Sequence, residues 1–276
     1  MARKNKTAKH DFLKNQLPST RRKQFFDILS HRYTLILKIG LLLSLFFLPV
    51  LLSIMYKDSS ILIIQSSNYK DEYSRIFVVN VIYCVAIFIS FIVFFVGVAG
   101  FFKIYKELIY GDPIFLKEDF IQGIKDNFKP FIVIAIFFGL FYSSEHLISF
   151  IYDNVYIQAI PFAFNFAIIF PLCFVSLFVS SYYSNGFMMN LKTAFSLYLR
   201  RFPLEIAGYL SVIGMVFFQY INLIYVKYAL LILFVVFFLP ISLLIGHEAN
   251  ASIFDELINI SQFPSYYKKG LYKKEE

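Results

Sequence analysis

Residues 76–102 read IFVVNVIYCVAIFISFIVFFVGVAGFF, a stretch with no formal charge. A helix rising 1.5 Å per residue crosses a hydrocarbon core of roughly 30 Å in about 20 residues. This stretch is therefore a membrane span with residues to spare. Five more charge-free runs lie around it: Ile39–Tyr56, Pro130–Ser144, Asn154–Leu191, Ile206–Val226 and Tyr228–Gly246. Pro130–Ser144 is interrupted by Glu145 and His146 before Leu147–Tyr152 resumes, and Asn154–Leu191 is too long for one crossing, so its polar end from Ser180 leaves the bilayer. The reading is an all-α, polytopic integral membrane protein with amphipathic cytoplasmic helices. Its six transmembrane helices fall at about 35–56, 76–102, 130–151, 157–180, 205–222 and 228–246.

Composition agrees. Of 276 residues, 59% are hydrophobic and 16% charged, with a mean hydropathy of +0.67. Soluble domains carry about 45–50% apolar and about 25% charged residues. Disorder and a disulfide scaffold are excluded, because Cys84 and Cys173 are the only cysteines and both sit in apolar runs. No cleavable signal is expected, since the first apolar run follows more than 30 mostly polar residues.

Positive charge sets the expected direction. With six spans, 21 Lys and Arg fall on the side of both termini and four on the other. The positive-inside rule then places both termini in the cytoplasm. That divides the chain into a basic segment 1–33, a membrane domain 34–246 and a tail 247–276.

Three inner segments have helical patterning. Arg21, Arg22, Lys23 and Arg32 accompany Phe25, Phe26, Ile28, Leu29 and Tyr33, which suits an anionic membrane surface. Nucleic-acid binding has no motif behind it. Asp112-Pro113 predicts a helix start. Leu116, Phe120, Ile124 and Phe128 then form one apolar stripe, and Pro130 bends or ends the helix. The loop 103–129 holds five basic and five acidic residues, so the stripe suits protein better than headgroups: either this chain's own helix ends or a partner subunit. Phe195, Leu199 and Phe202 before Pro203 repeat the theme. The tail, with Tyr266, Tyr267, Lys268 and Lys269, suits headgroups.

Gly111-Asp112-Pro113, then Asp119-Phe120-xx-Gly123-Ile124-Lys125-xx-Phe128, and the closing Phe254-Asp255-Glu256 resemble the YesL-like family of six-span bacterial membrane proteins. The resemblance implies a bacterial cell-membrane protein associated with carbohydrate uptake, accessory to an ABC-type permease or ATPase. It carries over no catalytic residue.

An ionisable residue within a span is a functional candidate. Glu145 and His146 are one such pair, able to relay protons or bind a solute. The alternatives are snorkelling, or pairing with Lys57, Lys70 or Arg75. Asn80, Asn165, Gln219 and Asn222 suit interhelical hydrogen bonds. Pro161 and Pro171 flank Asn165, so the fourth span is expected to be interrupted there, as in transporters that bind solute at a broken helix. His247-Glu248 begins like H-E-x-x-H, but Ala251 replaces the second ligand. No catalytic, cofactor or metal motif is found, and the expectation is a non-enzyme. The functional readings are an accessory uptake component or, alternatively, an autonomous transporter or channel.

Overall fold

The computed structural model describes residues 17–67, 70–214, 218, 221 and 223–272. Among them every regular element is helical. A short α1 (Arg21–His31) precedes three very long helices, α2 (Tyr33–Ser66), α3 (Glu72–Tyr110) and α4 (Leu116–Ile151). Next come α5 (Val155–Phe164) and α6 (Phe170–Tyr182), fused through a π-helical turn at Asn165–Ile169. An amphipathic α7 (Phe187–Arg200) and α8 (Phe202–Ile213) follow. Finally α9 (Ile224–Leu233), a π turn Phe234–Phe238, α10 (Leu239–Phe254), a π turn Asp255–Asn259 and α11 (Ile260–Gln262) form one continuous rod.

Five of these helical stretches are long and apolar enough to cross a membrane: Tyr33–Ser66, Glu72–Tyr110, Leu116–Ile151, Val155–Tyr182 and Ile224–Gln262. The expected span 205–222 is represented by the shorter α8, and Gln219 and Asn222 lie outside the described residues. The surface is apolar where a soluble protein's is polar. Leu41, Leu45, Leu48 and Leu52 on α2, and Val78, Ile82, Val85 and Ile89 on α3, are all exposed. Rows repeating every three or four residues line one helix face, and here that face looks outward.

The long helices overrun the bilayer. At 1.5 Å per residue α2, α3 and α4 measure about 50–60 Å against a hydrocarbon core of roughly 30 Å. The α3–α4 hairpin closes at Gly111, whose φ of 70° is the left-handed geometry of a helix C-cap. Asp112 N–H donates back to Glu107 O at 2.9 Å. Contrary to the sequence reading, Asp112 does not start α4. It is drawn instead into an ion pair with Lys269 at 2.7 Å, and α4 begins at Leu116, where Asp119 Oδ2 accepts the Phe115 N–H at 2.5 Å. Pro130 does not end the helix either; α4 runs through it.

Two other prolines directly follow π turns. Pro171 and Pro240 stand at the second position of α6 and α10, each directly after a π turn. A proline clashes with the carbonyl four residues back and supplies no N–H to it. The carbonyl freed by Pro171 is that of Ala167, and Tyr198 OH from α7 donates to it. Tyr105 OH donates to Pro240 O at 2.8 Å. Interruption at Asn165 was expected; the helix bulges there but stays continuous.

The Gly111 end, called basal below, gathers α1, α7 and the tail. Arg21 was read as a membrane-surface cation, but it is buried and pairs with Asp255 at 2.8 Å. Gln24 Nε2 donates to Ile109 O at 2.6 Å. Arg22 and Lys23 remain exposed, and Arg32 is half-buried. The tail likewise packs on protein: Tyr266 stacks on Tyr110 at 5.7 Å, and Tyr272 N–H donates to Pro18 O at 3.0 Å. Tyr183 OH donates to Asn259 Oδ1 at 2.8 Å, so α6 and the last helical rod both finish at this end. At the opposite, distal end the start of the rod meets α2: Lys227 forms a buried ion pair with Asp58, and Tyr228 OH donates to Asp58 at 3.1 Å.

Candidate functional site

Glu145 and His146 sit four turns beyond Pro130 on α4, toward the distal end. Successive helical residues point about 100° apart, and the two take different partners. His146 Nε2 donates to Asn80 Oδ1 at 2.8 Å, while Asn80 Nδ2 donates to Ile76 O. Its ring packs edge-on against Tyr83 at 4.9 Å, and Lys57 Nζ lies 4.6 Å from the centroid of the same Tyr83 ring. Tyr83 OH in turn meets Tyr142 OH at 3.0 Å. His146 is thus a structural bridge between α3 and α4.

Glu145 turns the other way. Its Oε2 accepts from Asn165 Nδ2 at 3.0 Å, and the same amide donates to Phe141 O at 3.1 Å. Asn165 opens the π turn, where the widened helix pushes its side chain toward α4. The sequence separately proposed Glu145 and Asn165; the fold joins them into one device. Neither Lys57 nor Lys70 pairs with Glu145. The acid lines a cavity of about 70 Å³ together with Ile54, Ile87, Phe91, Phe138, Phe166 and Phe170. A second cavity of about 80 Å³ adjoins it toward the basal end, between α3, α6, α8 and α10.

The apolar stripe of α4 divides. Phe120 is half-buried, its ring 4.8 Å from Phe101 and 5.7 Å from Phe46. Leu116 and Ile124 are half-buried too, and only Phe128 is exposed, at 45%. The fully buried row is the neighbouring one, Asp119, Gly123, Asn127 and Phe131. A Cβ on Gly123 would lie 2.7 Å from Gly100 O, so the missing side chain lets α3 and α4 touch backbone to backbone. Asn127 Nδ2 uses that closeness to donate to Ala99 O at 3.1 Å.

A basal set of buried polar groups was not anticipated. His247 is fully buried among Phe102, Phe178, Tyr105 and Tyr182, its Nδ1 3.3 Å from Tyr182 OH. Glu205 Oε2 accepts from Asn250 Nδ2 at 3.4 Å. Among the described residues, Glu205 Oε1, Tyr209 OH, His247 Nε2 and both Glu248 oxygens find no hydrogen-bond partner. The sequence signal existed, as polar residues close to apolar runs, but it was weighed only as a failed zinc motif. Among the described residues no group of three or more His, Cys, Asp and Glu is placed to hold a metal.

No family model, curated protein or solved structure matches this chain. The site itself is an acid oriented by an amide at a helix bulge, facing an aromatic cavity inside a bundle of membrane-length helices.

Proposed function

We propose that this chain is a non-enzymatic, six-span protein of the bacterial cell membrane, with both termini cytoplasmic, that takes a small solute into the interior of its bundle. The observation that carries the reading is Glu145, an acid in the apolar layer, held by Asn165 against a cavity. Intramembrane acids are costly and mark solute or ion paths, and a helix bulge flanked by prolines is where transporters place such sites. Six crossings are supported by the ends of the rods. α6 finishes at the basal end and α9 starts at the distal end, which is what a further crossing between them would require. The 21-to-four charge bias makes the basal end cytoplasmic.

Purified protein in liposomes is expected to catalyse solute flux, and Glu145→Gln, which keeps the shape and the Asn165 contact, to lower it by about tenfold or more. Absence of flux for every member of a broad panel of ions, amines, sugars and acids would overturn the transport reading.

A second reading is an accessory component of a carbohydrate ABC-type importer, docking to its permease or ATPase and related to the YesL-like proteins. Its support is the exposed apolar surface at the basal end of α4, formed by Phe115, Ile121 and Phe128.

A further inference from the structure

The two cavities share Phe91, Phe138, Phe170 and Ile213 as a common wall. Rings line most of the space. Phe91 packs edge-on against Phe138 at 5.0 Å and Tyr142 at 5.3 Å, and Phe162 stacks on Phe166 at 5.6 Å. Among the described residues, Glu145 is the only acid lining either cavity. Among the described residues no Lys, Arg or His neutralises it, and its Oε1 makes no hydrogen bond.

These features select a ligand by chemistry. Ring faces carry partial negative charge and attract cations, most strongly where water is excluded. The carboxylate adds a full charge of the same sign. An anion is therefore disfavoured. A sugar would leave its hydroxyls unpaired against phenyl walls, at about 1–3 kcal/mol for each buried group. A bare calcium or magnesium ion asks for about six or more oxygen ligands, and these walls are hydrocarbon. What remains is an organic cation. Together the cavities offer roughly the room in which a single benzene-sized molecule is accommodated.

We propose that the site binds a compact alkylammonium ion no larger than benzene. Its charge lies at Glu145 and its apolar body against Phe91, Phe138 and Phe170. The proposal rests on the solute-chamber reading and names the class of solute.

The test is equilibrium dialysis of radiolabelled tetramethylammonium against the full chain in maltoside micelles, with empty micelles as the blank. Saturable binding at one site per chain is expected, weakened about tenfold or more by Glu145→Gln. tert-Butanol, a neutral molecule of similar size and shape, should compete at least about tenfold less well. Ile213→Phe, which fills the junction of the cavities and leaves Glu145 in place, should also abolish binding, and it serves as the decisive variant if Glu145→Gln does not yield monodisperse protein. Equal binding by wild type and Glu145→Gln, equal competition by tert-butanol, or no saturable binding would overturn the proposal. Glu145-dependent flux of a different solute class, without ammonium binding, would sink the ligand class and spare the chamber. Ammonium binding with no flux of any solute would sink transport and spare the site.

Discussion

Arg21 illustrates how one side chain changes its meaning once its neighbours are known. In sequence it belongs to a basic cluster with Arg22 and Lys23. In the fold, Nε and Nη2 both reach Asp255 Oδ2, and Nη1 donates to Gln24 Oε1 at 2.8 Å. Asp255 also accepts from Asn259 Nδ2 at 2.9 Å and from the Lys268 N–H at 3.0 Å. Removing one partner of a buried ion pair strands the other, which costs about 3–5 kcal/mol. Two donors remain to Asp255, so Arg21→Ala should cost about 3 kcal/mol, the lower end of that range. Thermal unfolding in detergent reads this, and Arg21→Ala with Asp255→Asn should recover most of the loss. A single variant that melts with the wild type would show that the pair does not hold α1 down.

At the scale of elements, hydropathy found the spans because burying or exposing twenty apolar residues is a large, additive signal. It set their ends poorly: α2 runs to Ser66 and α3 to Tyr110, past the charge-free runs that end at Tyr56 and Phe102, and neighbouring helices supply partners to Asp58 and Tyr105 there. The buried row of α4 was illegible for a different reason. Gly123 contributes no hydropathy, and Asp119 and Asn127 contribute the wrong sign. Yet all three are buried, because close helix approach and local hydrogen bonds stabilise them. Glu145 and Asn165 were each visible as polar residues in apolar runs, but their pairing depends on a π turn whose register no periodicity reveals. Orientation of the elements is directly testable. In cells, cysteines at Tyr156 and Tyr225, both highly exposed at the distal end, should react with an impermeant maleimide, and one at Lys125 only after permeabilisation. Labelling of Tyr225→Cys solely after permeabilisation would make α8 re-entrant rather than spanning.

For the whole molecule, an apolar belt on α2 and α3 and further apolar patches on α4 and α7 make up much of the exposed surface. Beyond the α4 face, α7 exposes Met188, Met189, Phe195 and Leu199, while Asn190, Ala194, Leu197 and Tyr198 face inward. If the accessory reading holds, a tagged chain drawn from native membranes in mild detergent brings an importer permease or ATPase with it in near-equal amount. Phe128→Asp should then reduce that recovery by about tenfold or more without altering insertion, since Phe128 is exposed whereas Phe120 serves the fold itself. Recovery of the chain alone, by mass spectrometry, would remove that reading. The clasp that Arg21, Gln24, Asp255 and Gly270 form at the basal end also orders folding in time. Gln24 can reach Ile109 as soon as α3 is made, and α1 later packs on α10. Among the described residues, the other long-range hydrogen bonds of α1 and of Pro18 just before it wait for Asp255, Gly270 and Tyr272. A nascent chain halted before Asp255 would hold α1 by part of its contacts only, with Arg21 and Asp112 lacking their ion-pair partners.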